Sequence, residues 1–189
     1  NCHTIEAVSY TLEENKIVES KLDKESIFNK KHSTTFAIPN VKVGSVISYS
    51  YTIISPFMMK YHGWDFQGSI PKLYSEYRPS IPGNWEYNIK LVGGQKLAIN
   101  ESEVEKNCLI ASNGASSHCF NARYVMKDIP AFIEEDYMTS KSNYLIKIEY
   151  DLKTFRRFDG TLDHITKTWK TVDKELKTHP KIGKQLNKS

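Results

Sequence analysis

Apolar and polar residues alternate with a period of two along most of the chain. In Val46 to Ile53, the residues Ile47, Tyr49, Tyr51 and Ile53 share one face and Ser48, Ser50 and Thr52 the other, as the alternating Cβ directions of a strand require. The pattern predicts a half-buried strand there, entered through a turn at Gly44 and bracketed by Pro39 and Pro56. Similar runs predict strands at Ile5 to Leu12, Lys16 to Leu22, Thr34 to Ile38, Ser75 to Ile81, Trp85 to Leu91, Gln95 to Asn100, Cys119 to Val125 and Tyr144 to Leu152. Turn residues separate them: Glu14-Asn15, Pro82-Gly83-Asn84, Gly93-Gly94 and Asn113-Gly114. Many short strands without helical periodicity between them point to a mainly β fold. The architecture they predict is an antiparallel β-sandwich, immunoglobulin-like or related.

Helical spacing enters only at the end. Thr168 is placed to cap a helix, Trp169, Val172 and Leu176 make one apolar stripe, and Pro180 stops the segment. The expected organisation is a β-sandwich domain over residues 1–167 and a C-terminal helix and linker over 168–189, with the helix docked through Trp169, ordered to about Lys177, and a loosely anchored end from His179 onward.

Charge and hydropathy narrow the function classes. The 189 residues have a net charge of +4, but residues 151–189 hold ten basic and five acidic residues, so the body is near neutral. The aromatics lie in that neutral part and the lysines in the tail, which argues against a nucleic-acid-binding face. No apolar run approaches the roughly 18 residues a membrane-spanning helix needs.

Cysteine offers the sharpest local inference. If Asn113-Gly114 forms a two-residue type I′ hairpin loop, Ser112 faces Ala115 and Cys108 faces Cys119. A hydrogen-bonded pair of that kind has Cα atoms about 5.5 Å apart, within the range of a disulfide. Two reduced cysteines packed as small hydrophobes fit the same pattern. Zinc held by Cys108, His118 and Cys119 fits poorly, because sequence neighbours on a strand point to opposite faces. No helix start follows Cys2, Cys108 or Cys119, where a thiolate would be activated, and no catalytic motif or cofactor fingerprint is present in the sequence. The expectation is a chain with no catalytic residues, no metal and no cofactor. Glu134, Glu135 and Asp136 lack the spacing that wraps calcium and read as a solvated loop.

Aromatic residues concentrate at Tyr61, Trp64, Phe66, Tyr74 and Tyr77, interleaved with Asp65, Gln67 and Arg78. Rings beside hydrogen-bonding groups are what a sugar- or peptide-binding surface uses, and also what a sandwich core and its corner contain. Core packing has the stronger claim. Trp64, Asp65, Gln67, Tyr74, Tyr77 and Arg78 are the candidate binding residues.

Several segments in order resemble a known family: Tyr10 to Val18, Pro39 to Ile47, Tyr49 to Phe57, Trp64-Asp65-Phe66-Gln67, Ile70-Pro71, Tyr74 to Tyr77, Ile81-Pro82, Asp128 to Ala131 and Thr168-Trp169. This resembles the domain of unknown function that precedes transglutaminase-like domains in envelope proteins of Bacteroidetes-type bacteria. The resemblance implies a β-sandwich accessory module in the periplasm or outside the cell, a compartment that favours the disulfide. It also implies a transglutaminase-like domain downstream as partner. It carries no catalytic residue over to this chain. A free-standing module that binds envelope glycan or peptide through the Trp64 to Arg78 region is the alternative.

Overall fold

The computed structural model describes residues 2–30, 33–53, 60–112, 114–165, 168–181 and 183. The chain divides into two compact units, 1–58 and 59–189. Both are built from antiparallel strands, and the fold is mainly β with one short C-terminal helix.

In the first unit, β1 (Cys2–Glu13) lies between β2 (Lys16–Lys21) and β5 (Val46–Ile53). Glu14 and Asn15 both adopt positive φ (49° and 63°), the conformation of a two-residue hairpin loop whose twist matches the strands. The pairing sets Ala7 opposite Tyr49 and Ser9 opposite Ile47. Ala7, Ser9 and Thr11 are buried, and the polar pair is satisfied by the 39–45 turn. Ser9 Oγ donates to the Pro39 carbonyl (2.8 Å), and Thr11 Oγ1 donates to that of Asn40 (2.8 Å). A small hairpin of β3 (Phe28–Lys30) and β4 (Ser33–Thr35) completes the unit.

The expected burial of the β5 face is corrected. Tyr49 and Tyr51 are 62% and 56% exposed, because the turn that satisfies Ser9 and Thr11 covers only that end of the sheet face. Alternation identifies which face of a strand can be buried and does not supply the layer that buries it.

The second unit contains two sheets. One joins β10 (Ile99–Ile110), β11 (Ser116–Ile129), β7 (Lys72–Tyr77) and β8 (Ser80–Pro82). The other joins β13 (Leu162–His164), β12 (Lys147–Arg156), β6 (Trp64–Asp65) and β9 (Trp85–Val92). Alternate residues Ala122, Tyr124 and Met126 of β11 and Ile148 and Tyr150 of β12 meet in one core with Phe66, Ile81, Ile129 and Ile146. The run expected over Ser75 to Ile81 is split, because the buried Pro79 cannot donate to a ladder.

The helix α1 (Trp169–Thr178) forms where its signals place it, with Thr168 Oγ1 accepting from the Thr171 amide at 3.3 Å. Its expected docking through Trp169 is not found. Trp169 is 89% exposed and no helix residue is buried. Capping and the Lys177–Asp173 pair at 2.9 Å act within the helix, so they can form it without a packing surface. The expected loose end falls largely on residues 182 and 184–189, outside the described ones, although the Gly183 amide donates to the His179 carbonyl. Among the described residues no helix is long and apolar enough to cross a membrane.

Cys108 and Cys119 are joined in a disulfide with Cα atoms 5.7 Å apart, but the register that suggested the pair is corrected. Near the turn Ile110 faces Ser116 and Leu109 faces Ser117, so the loop is one residue longer than expected. Beyond an irregularity Glu105, not Cys108, faces Cys119. Asn107, at φ 54°, carries the extra residues of that bulge. Its amide donates to His118 Nδ1 at 3.1 Å. Cys108 lies inside this irregular stretch, between Glu105 and Leu109, and joins Cys119 from there and not as its ladder partner.

The disulfide closes a loop of 11 residues' separation. Replacing both cysteines by serine is expected to cost about 3 kcal/mol by loop-closure entropy, read as a drop in the urea midpoint, with an m-value that does not fall because the unfolded chain is less constrained.

Candidate functional site

The aromatic concentration of the sequence becomes a connected set of rings. Trp64 lies on β6, which approaches β12 so closely that a Cβ on Gly63 would collide with the Ile148 carbonyl. Its indole stacks on Tyr77 of β7, with centroids 5.7 Å apart and planes 7° apart. The indole Nε1 donates to Ser75 Oγ at 3.0 Å. Trp64 therefore spans from one sheet to the other. Tyr150 meets the rings of Tyr61, Tyr77 and Tyr87 edge to face, at 5.1, 6.2 and 6.0 Å. Tyr77 Oη donates to the His62 carbonyl, and Tyr61 Oη to that of Ser80.

Burial pushes the Tyr77 and Tyr150 phenols well above the ordinary tyrosine range and the Tyr87 phenol up to about 12. They stay neutral across the physiological range.

Beside Trp64 lies an open groove of about 760 Å³. Its wall contains Lys60, Tyr61, Asp65, Lys147, Glu149 and Asp151, a mixed-charge lining around one half-exposed indole. Lys147 Nζ and Glu149 Oε1 are 2.5 Å apart. Lys72 Nζ donates to the Asp65 carbonyl at 3.1 Å.

A second groove, about 590 Å³, lies on the polar face of the other sheet. Glu76 is its hub. The carboxylate accepts from Tyr74 Oη, from Arg123 Nε at 3.1 Å and from Arg78 Nε. These donors, the Tyr74 hydroxyl foremost, hold the Glu76 carboxyl down at about 2. Across the ladder Glu101 Oε2 lies 3.6 Å from Arg123, and Asn121 Nδ2 donates to Glu105 at 2.9 Å.

The six candidate residues thus do different things. Trp64 and Tyr77 are brought into contact, and Asp65 lines the first groove. Tyr74 and Arg78 belong to the second network, since Tyr74 is an odd step from Tyr77 along β7 and points to the opposite face. Gln67 is buried and holds the backbone. Its Nε2 donates to the Pro130 carbonyl (3.1 Å), and its Oε1 accepts from the Ile146 amide (3.3 Å). Sequence reasoning missed Glu76, Arg123 and Tyr150. The alternation of Asn121 and Arg123 with Ala122 and Tyr124 carried the signal for Arg123, while its pairing with Glu76 required knowing that β7 and β11 are neighbours.

Sandwiched antiparallel sheets, ring stacks across them and a disulfide on an edge hairpin define a β-sandwich module of a kind compatible with an extracellular setting. A family model for a domain of unknown function, DUF3857, matches residues 6–109. The chain belongs to that family. No curated protein and no solved structure gives a significant match.

A carboxyl lowered from 4.5 to about 2 stabilises the fold above its unfolded value and loses that contribution as pH falls toward 2. Glu76→Gln is therefore expected to be less thermostable at pH 7 and to lose less on acidification from pH 5 to 2 than the native chain. Parallel melting curves for the two proteins over that range would contradict the network.

Proposed function

We propose that this chain is a non-catalytic accessory module of an envelope protein, working in the periplasm or outside the cell beside a transglutaminase-like domain that follows it. The observation that carries the reading is the helix α1. It presents Trp169, 89% exposed, on a stripe with Val172 and Leu176, and an exposed tryptophan on an amphipathic helix is a contact surface rather than a packing residue. Membership of a domain family without assigned chemistry agrees with an accessory role. Cys108 and Cys119 spend their sulfurs on each other, so neither is a thiolate nucleophile.

The groove beside Trp64 favours a second reading, a module that binds envelope glycan or peptide through Trp64 and Asp65. The coding sequence read beyond residue 189 separates the two. A cysteine at a helix start followed by strand-borne His and Asp supports the first, and an immediate stop supports the second.

The protein extended through that domain is expected to protect amides 170–178 from hydrogen exchange more than this chain does, with Trp169 emission shifted to the blue. Unchanged protection and emission would refute the docking role. The chain by itself is expected to turn over neither peptide nor glutamine-donor substrates.

A further inference from the structure

The edges of the sheets are not equally defended. Unpaired strand edges recruit other strands unless charge, proline or a bulge prevents it. The free edge of β2 carries Lys16, Glu19 and Lys21. That of β10 carries Glu101, Glu103, Glu105 and Lys106 and is bent by the bulge at Asn107. β5 has none of these devices. Among the described residues it pairs only with β1, and its eight residues, Val-Ile-Ser-Tyr-Ser-Tyr-Thr-Ile, include no charge, proline or glycine.

That strand is also nearly palindromic about Ser50. If a second strand of the same sequence runs antiparallel with Ser50 facing Ser50, then Tyr49 faces Tyr51, Ser48 faces Thr52 and Ile47 faces Ile53. Every residue meets its own kind on the same side of the sheet. Ile47, Tyr49 and Tyr51 are 46%, 62% and 56% exposed, and the two rings are already near parallel, 11° apart with centroids at 6.3 Å. Ile5 and Ala7 of β1 stand beside them on the same face.

We propose that the free edge of β5 is a self-association surface, at which a second copy of this chain adds its β5 antiparallel across a two-fold axis through Ser50. The product is a continuous six-stranded sheet in which Tyr49 and Tyr51 of both copies form one aromatic row. The contact is isologous and closes on itself, so it gives dimers rather than fibres. The absence of charge is what a partner bearing the identical strand requires, since like charges would face each other across the axis.

The two-fold makes a sharp test. Cα atoms of directly opposed residues lie about 4.5–5.5 Å apart, which a disulfide can bridge. In a Cys2→Ser background, Ser50→Cys is expected to form a cross-linked dimer on mild oxidation. Ser48→Cys should not, because its mate is displaced by four residues, about 13 Å. Sedimentation velocity of the native chain is expected to show a concentration-dependent dimer, and Ser50→Lys, which opposes two like charges at the axis, a monomer with unchanged far-UV circular dichroism. A native chain that sediments as a monomer at every concentration overturns the proposal and leaves the edge to a strand of another protein. A dimer that survives Ser50→Lys while Ser50→Cys fails to cross-link overturns it as well.

Discussion

The strand Ser116–Ile129 divides the work of the second unit between its two sides. Because side chains on a strand must alternate, Ala122, Tyr124 and Met126 go to the core while Asn121 and Arg123 go to the polar groove. One backbone thus fixes both the hydrophobic packing against Ile148 and Tyr150 and the charge network around Glu76. A one-residue slip of β11 would exchange them, burying Arg123 and exposing Met126. Its register against β7, with Tyr124 opposite Tyr77 and Val125 opposite Glu76, is accordingly over-determined.

The disulfide reinforces that register at the far end of the same strand. Cys119 belongs to β11, and Cys108 lies where β10 leaves the regular ladder, between Glu105 and Leu109. The covalent link therefore pins a place where the hydrogen-bonded ladder is locally broken. The family match ends at residue 109, so Cys119 and the whole of the hairpin's second strand lie beyond it.

How much of this is legible in the sequence depends on the range of the interaction. Alternation locates β5 with the bounds the structure shows, and the cap and stripe locate α1 from Thr168, because both signals are local. The cysteine pair is legible although its register is not: the longer loop and the bulge shift the ladder in the same direction, and Cys108 meets Cys119 from within the irregular stretch. The aromatic cluster at Tyr61 to Tyr77 is visible as composition, and its role as packing is set by partners 73 or more residues away on β12. No sequence-local signal joins Glu76 to Arg123, since that pair depends on which strands become neighbours. What covers an apolar face is equally invisible, as Tyr49, Tyr51 and Trp169 show.

The three tryptophans occupy three unlike surroundings. Trp64 is stacked and hydrogen-bonded across two sheets, Trp85 lies on Phe155 with centroids 4.0 Å apart, and Trp169 stands in solvent on the helix. Each is therefore a separate optical reporter. Collisional quenchers such as iodide will reach Trp169 first, leaving the other two indoles to record the state of the sandwich, so one chain carries a built-in probe of its helix and another of its core without any label.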